Sequence, residues 1–311
     1  MKKCCWVLAG PTASGKTSLS LQLAQAHQCE IVCMDSMQIY RRMNIGTAKP
    51  TPSERAQAVH HMVDVVEPTE DFSVARYQEM AEACIEEIFD RGHQPLLVGG
   101  TGLYLRALRQ TMSMGEVAAD ERLRAELQQI ADSDGGKEHL HQALTEVDPV
   151  TAARLHVNDV RRVIRALEVY RLTGRPISQQ PESSASGKFD YRVASLTMDR
   201  ATLYRRIEQR VDQMIADGLA EEVKQLLAEG LTAQTKAMKA IGYKEMIPYC
   251  LGQCTLDAAV AELKLNTRHY AKRQLTWMRR EPDILWVDAL SPDAYEQLST
   301  YYLQGAEKDD H

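Results

Sequence analysis

CCWVLAGPTASGKTSLSLQLAQAH, residues 4–27, joins an apolar run, a glycine-bounded loop and a helix-forming segment. Residues 4–9 have the length and composition of a buried strand. The loop consists of Gly10, Pro11, Thr12, Ala13, Ser14, Gly15, Lys16 and Thr17 and matches G-x-x-x-x-G-K-[ST]. It stands where that pattern has physical meaning, after a strand and at the opening of a helix. There the free backbone N–H groups and the helix N-terminus face an anion. Lys16 offers a point charge to terminal phosphate oxygens, and the Thr17 hydroxyl suits Mg²⁺. Such a loop recognises a diphosphate, and a nucleoside triphosphate is only its usual bearer.

Outward from this unit the pattern alternates. Apolar runs predict further strands at 31–35, 62–66, 95–98, 191–197 and 284–288, with helices at 73–91, 102–109, 201–217, 219–229 and 255–280. In 73–91, Val74, Tyr77, Met80, Ala81, Cys84, Ile85 and Ile88 recur at the spacing of one buried helix face. Strand alternating with helix implies an α/β fold with a mostly parallel sheet covered on both faces. Between about 112 and 189 the alternation stops. ADERLRAELQQIA, KEHLHQALTEVDPVTAARL and NDVRRVIRALEVYRLTG read as helices, followed by the polar run QQPESSASGK. The predicted organisation is a core of 1–111 and 190–311 with an all-helical insert at 112–189, ending in a polar tail after 305.

A hydrolase or motor built on this loop normally adds an apolar strand ending in Asp for Mg²⁺ and water. The candidate strand here, PLLVGGTGLY, ends in Gly99-Gly100-Thr101-Gly102, a hydroxyl and open backbone N–H groups. The acidic role moves to Asp35, at the tip of the second predicted strand in MDSMQIY. Ligands sit at the carboxyl edge of such sheets. Asp35 there suits a general base or a partner of Mg²⁺, and equally a turn or N-cap aspartate. Ser36 and Gln38 add donors and acceptors able to read a polar ring edge.

The composition is that of an ordinary globular chain: 311 residues, 44% hydrophobic, 26% charged, net charge −6. A uniformly basic nucleic-acid binder is excluded, but local basic faces are not. Three predicted helices carry them: Arg161, Arg162, Arg165 and Arg171 in one, Arg205, Arg206 and Arg210 in another, Lys264, Arg268, Lys272, Arg273, Arg279 and Arg280 in the third. On an acidic body they fit a polyanionic partner such as RNA. The seven cysteines, at 4, 5, 29, 33, 84, 250 and 254, lack disulfide-like spacing and fit a reducing cytoplasm. Cys250-x3-Cys254 has no second pair at zinc spacing. MKKCCWVLAG runs into Gly10-Pro11 without a cleavage-like site, and no run approaches membrane-spanning length. No self-associating patch is evident, so a monomer is expected.

Taken together, GPTASGKT, DSMQIYRRMNIGTAKP, HHMVDVVEP, LLVGGTGLYLRAL, DPVTAARLHVNDVRRVIRALEVY, RIEQRVDQM, KAIGYKEM and TRHYAKRQLTWMRR resemble the tRNA dimethylallyltransferases, or tRNA isopentenyltransferases, of bacterial type. The blocks run in order from residue 10 to 280, nearly the whole chain. The resemblance implies a P-loop core like that of nucleotide kinases and an insert that grips the anticodon stem-loop. It implies transfer of the dimethylallyl group of dimethylallyl diphosphate to N6 of the adenosine 3′ of the tRNA anticodon, with Mg²⁺. It further implies that Asp35 is the base and that Lys16 and Thr101 belong to the catalytic centre. Arg206 and Arg210 would bind the diphosphate beside the loop. Asp35, Ser36, Met37, Gln38, Thr101, Arg124, the stretch Asp159, Val160, Arg161, Arg162 and Val163, and the stretch Lys239, Ala240, Ile241, Gly242, Tyr243 and Lys244 would meet the tRNA. The linker RQTMSMGEVAADERLR lacks the prolines common in that family, so Arg124 is matched across a gap.

Three other functions compete. A kinase using the same loop would turn over ATP and would not need three basic helices. A transferase acting on free adenine nucleotides would lack the helical insert. An RNA-binding GTPase switch would carry a guanine-reading N/T-K-x-D motif, which is not present.

Overall fold

The computed structural model describes residues 2–110, 120–179 and 187–304. In chain order the elements are β1 (Cys4–Ala9), α1 (Lys16–His27), β2 (Cys29–Met34), α2 (Pro52–Arg55), β3 (His60–His61), α3 (Val74–Asp90), β4 (Gln94–Gly99), α4 (Gly102–Arg109), α5 (Glu121–Ala131), α6 (Gly136–Val147), α7 (Pro149–Ala152) and α8 (Val160–Thr173). Then follow β5 (Asp190–Thr197), α9 (Arg200–Ala216), α10 (Leu219–Ala228), α11 (Tyr243–Cys250), α12 (Leu256–Met278), β6 (Ile284–Asp288) and α13 (Ala294–Leu303).

Two compact units divide the chain, Met1–Arg109 with Gly187–His311, and Gln110–Ser186. Composition places the seams at 111/112 and 189/190. The later seam moves because the Gly187 N–H donates to Arg109 O at 2.9 Å and Phe189 is buried in the first unit's core. The polar run at 180–186 and the tail after 305 lie outside the described residues.

The first unit is built on a six-stranded sheet of order β3-β2-β4-β1-β5-β6, parallel throughout. Its central strands are apolar along their length because both faces are covered. Alternate residues serve opposite faces. Trp6 and Leu8 of β1 pack with Ile31, Leu96, Ala194 and Leu196 in the core under α1 and α13. Cys5 and Val7 pack with Val32, Leu97 and Val193 in the core under α3, α4 and α10 to α12. The strand predicted at 62–66 is instead the two residues of β3, with a lone bridge from Tyr40 to Val66. Met62 and Asp64 take left-handed φ of 60° and 57°, and the Asp64 carboxylate binds Lys49 and Arg55, so the chain turns there.

The second unit packs α5, α6 and α8 around Leu127, Leu140, Leu144, Val163, Ile164 and Leu167. Among the described residues it buries two carboxylates, Asp148 and Glu168, and Glu168 is wholly shielded and pairs with Arg124 at 2.8 Å and Arg165 at 2.6 Å. Burial pushes this carboxyl up, but the Arg165 and Arg124 guanidiniums and the Asp120 N–H outweigh it and hold it below the usual range. Among the described residues no helix is long and apolar enough to cross a membrane.

Candidate active site

Three loops meet at the carboxyl edge of the sheet, after β1, β2 and β4. The first is the phosphate loop. Gly10 sits at φ 147°, and a Cβ there would lie 3.2 Å from the Leu196 backbone on β5. Only glycine therefore combines that backbone with so close an approach. Ala13 and Gly15 also take positive φ and turn the chain before α1. Lys16 folds back and donates to Gly10 O at 2.9 Å and Pro11 O at 2.7 Å. Burial first, and then the neighbouring Arg210, push the Lys16 ammonium down to about 7, against the pull of Asp35. Among the described residues the buried Ser14 hydroxyl has no hydrogen-bond partner, an orphan beside an anion cradle. From α9, Arg206 donates to Ala13 O at 2.9 Å and Arg210 reaches Thr12 Oγ1 at 3.5 Å. The two arginines lie one helical turn apart and so share a face.

The second loop starts at Asp35, the residue after β2. Its Oδ1 accepts the backbone N–H of Met37 at 2.8 Å and of Gln38 at 3.3 Å. Burial raises the Asp35 carboxyl above its ordinary value, and these two N–H groups and Lys16 oppose that rise. A carboxylate made more basic in this way suits proton abstraction. The third loop anchors the second: Ser36 N–H donates to Thr101 Oγ1 at 3.2 Å, and Thr101 N–H donates to Met34 O at 3.3 Å. Gly99 lets the strands close here, since its Cβ would stand 2.1 Å from Met34 O.

These loops and α12 enclose a cavity of about 400 Å³, lined by Thr12 to Thr17, Asp35 to Gln38, Lys239 to Ile241 and Lys244 among others. Arg210, Tyr270, Arg273 and Gln274 add to its polar lining, with Thr47 and Thr267. A second cavity of about 1000 Å³ borders it and shares Thr17, Ala48, Arg210 and Met214. Several anticipated residues spend their polar groups on the protein itself, Gln38 from within the lining. The Gln38 side-chain amide donates to Thr47 O and Ala48 O at 3.1 Å each. Tyr243 is buried, and Gly242 caps α11 with its N–H on Glu245. Thr101 and Arg206 act through Ser36 N–H and Ala13 O. Arg124 and Asp159 to Val163 lie in the second unit. There Arg161 and Arg162 are exposed, Val163 is core, and Asp159 stands at the N-cap of α8 without a side-chain cap bond.

Gln274 escapes the sequence reading, which takes in Tyr270 only as an aromatic among basic residues able to stack a base. Gln274 is buried, accepts Thr12 N–H at 2.9 Å and donates to Gly100 O at 3.3 Å. Tyr270 hydrogen-bonds Thr101 and Gln274, while burial and then the Asp35 charge raise its phenol. Their available signal was the register of α12. Thr267, Tyr270, Ala271 and Gln274 share a face, whereas charge had drawn attention to the lysines and arginines around them.

The IPP transferase family model matches residues 38–281, and a second model, isopentenyl transferase, matches residues 4–65. The chain belongs to the IPP transferase family. Similar members include the tRNA dimethylallyltransferase of Symbiobacterium thermophilum, 48% identical over 93% of this chain and 90% of that one. That of Natranaerobius thermophilus is 47% identical over 93% and 87%. Among solved structures, the tRNA isopentenylpyrophosphate transferase of Bacillus halodurans is 40% identical with a TM-score of 0.73, and all of both chains is covered. A eukaryotic dimethylallyltransferase acting on tRNA is 30% identical with a TM-score of 0.80, over 99% of this chain and 79% of that one. The IPP transferase match takes in the loop after β4 and α12, and the isopentenyl transferase match takes in the phosphate loop and Asp35.

Proposed function

We propose that this protein transfers the dimethylallyl group of dimethylallyl diphosphate to N6 of the adenosine 3′-adjacent to the anticodon of tRNA, releasing diphosphate. The observation that carries this reading is the shared cavity: Asp35 and the phosphate loop line one space, and the neighbouring strand tip is Gly99-Gly100-Thr101 rather than an acid. A phosphate loop without that acid suits a diphosphate leaving group better than a nucleotide to be hydrolysed.

In this reading the N–H groups of Ala13 and Gly15 to Thr17, with Lys16 and Arg210, bind the diphosphate, and Arg206 holds the loop's shape. Lys16 exchanges its loop carbonyls for phosphate oxygens. Thr17 would hold Mg²⁺, a fit supported by its hydroxyl, a hard oxygen donor, on the cavity wall. The ion would add positive charge where the diphosphate gathers its negative charge. The adenosine leaves the anticodon-loop stack to reach the cavity. An exocyclic aryl amine is a weak nucleophile because its lone pair is delocalised into the ring. As the N6–C1 bond forms and the C1–O bond breaks, the electron pair of the latter departs with the diphosphate and the N6 proton passes to Asp35. Such base catalysis is worth about 10²–10⁴-fold. Thr101 keeps Asp35 and Ser36 facing the amine, and Ser36 and Met37 border the base. The exposed arginines of α8 and Arg124 meet the tRNA phosphates.

The test incubates the protein with dimethylallyl diphosphate and unmodified tRNA carrying the target adenosine, with free AMP and ATP as controls, and follows N6-alkylation by mass spectrometry. Alkylated tRNA and unchanged AMP are expected. ATP hydrolysis without alkylation would overturn the reading.

A further inference from the structure

Glu222, on α10, is absent from the cavity lining yet holds the segment that leads into one of its walls. Its carboxylate accepts three successive backbone N–H groups: Asn44 at 2.9 Å, Ile45 at 2.9 Å and Gly46 at 3.2 Å. Three consecutive N–H groups form a concavity for an anion, and here the chain fills it with its own side chain. The same carboxylate accepts the Tyr243 hydroxyl at 2.6 Å. Tyr243 lies against Gly46 so closely that a Cβ on Gly46 would meet its ring at 2.4 Å. One group therefore joins Tyr243 to the segment that runs into the wall residues Gly46 to Ala48, and the Tyr243 N–H donates to Ala240 O in the wall segment Lys239 to Ile241 at 3.2 Å.

The contact continues toward the chemistry. Thr47 O and Ala48 O, at the end of the segment Glu222 holds, accept the Gln38 amide, and the Gln38 backbone N–H donates to Asp35 Oδ1 at 3.3 Å. We infer that Glu222 is a positioning residue for the transferase reaction, holding the 44–48 segment so that Gln38 keeps its hydrogen bond to Asp35. This inference rests on the reading of Asp35 as the base. Lys16, Cys33, Tyr104 and Tyr270 face Asp35 from the neighbouring elements, Arg210 and Lys239 border the same cavity, and Lys49 lies near Glu222. A variant at Glu222 leaves all of these side chains in place and changes only how the Asp35 carboxylate is held.

In Glu222→Gln the shape is kept, but an NH₂ replaces an acceptor and confronts a backbone N–H. Loosening Gln38 removes a donor that favours the carboxylate. The acidic limb of the single-turnover rate should therefore move to higher pH by at least ~0.3 unit. The rate on its plateau should fall about 10-fold, the scale of loss from a small misplacement of a catalytic group, with KM for dimethylallyl diphosphate changed less than ~2-fold. Tyr243→Phe deletes one of the four donors and should shift the limb in the same direction by less, which keeps the idea testable if Glu222→Gln folds poorly. An acidic limb unmoved in both variants, whatever their melting temperatures, would overturn the inference. The control is Asp35→Asn. If that variant keeps the wild-type rate and acidic limb, the assignment of the base fails, and the inference with it. If Asp35→Asn abolishes the rate while the Glu222 and Tyr243 variants keep the wild-type profile, the inference alone fails.

Discussion

Gln274 accepts the Thr12 N–H at 2.9 Å across 262 residues of sequence, and its other amide atom donates to Gly100 O. A single buried side chain from α12 thereby ties the phosphate loop to the tip of β4. Gln274→Ala leaves the buried Gly100 carbonyl and the half-buried Thr12 N–H without this partner, which costs about 1–3 kcal/mol. We expect a lower Tm and a fall in kcat/KM for dimethylallyl diphosphate of about 10–100-fold, the factor corresponding to that cost. Filter binding should show tRNA affinity within about 2-fold of wild type, because Gln274 holds the diphosphate side of the cavity.

Asp35→Ala should slow alkylation by about 10²–10⁴-fold, the span of general-base catalysis. Single-turnover assays by mass spectrometry measure this directly. Affinity for tRNA should change little, since one carboxylate contributes little to binding a polyanion. Equal losses of rate and binding would instead mark Asp35 as a turn residue that shapes the loop.

Lys16 predicts a pH dependence of donor binding. Its ammonium is pushed down to about 7 by burial and by Arg210. A bound diphosphate stabilises the charged form, so binding takes up a proton when Lys16 starts neutral. The affinity for diphosphate should accordingly weaken as pH rises from about 7 to 9. Titration calorimetry at pH 8 in buffers of different ionisation enthalpy should reveal the uptake, and Lys16→Met should abolish it.

At the opposite edge of the sheet, Glu30 accepts Arg91 at 2.8 Å and 3.0 Å, His61 at 2.5 Å and His93 at 2.7 Å. Chiefly the Arg91 hydrogen bonds, against the effect of burial and with help from the histidines, hold its carboxyl at about 2, below the ordinary 4.5. A depressed carboxyl contributes its stability above the unfolded value and loses it as pH falls from about 4.5 toward 2. At about 1.4 kcal/mol per unit this amounts to on the order of 3 kcal/mol. Wild type should thus lose Tm steeply between pH 4.5 and 2 in thermal melts, and Glu30→Gln should start lower and respond less.

Arg161 and Arg162 are exposed on α8. Replacing both with Ala should weaken tRNA binding and lower the slope of log affinity against log salt by about 1–2, the value for one or two lost phosphate contacts. Alkylation at saturating tRNA should stay near wild type. An unchanged salt slope would count against this surface.

The strand, loop and helix at 4–27 could be read without a structure because each rests on local chemistry: an apolar run, glycines where φ is positive, and a helix N-terminus. The all-helical stretch between the two halves was equally legible, since hydrophobic period depends only on neighbours along the chain. Residues 62–66 misled for the opposite reason. Their apolar pattern is that of a strand, but Lys49 and Arg55 pull the Asp64 carboxylate into a turn that no local pattern announces. The site divides in the same way. Lys16, Thr17, Asp35 and Thr101 stand at element ends that periodicity marks. Gln274, Tyr270 and Glu222 sit inside helices, where a polar residue looks like surface until the partner it meets is known. Sequence alone determined where the G-x-x-x-x-G-K-T loop lies between β1 and α1 and which carboxylate follows β2. Only the tertiary structure decided that α10 and α12 hold those loops together, because hydrogen bonds between residues hundreds of positions apart exist only once the sheet and its helices have packed.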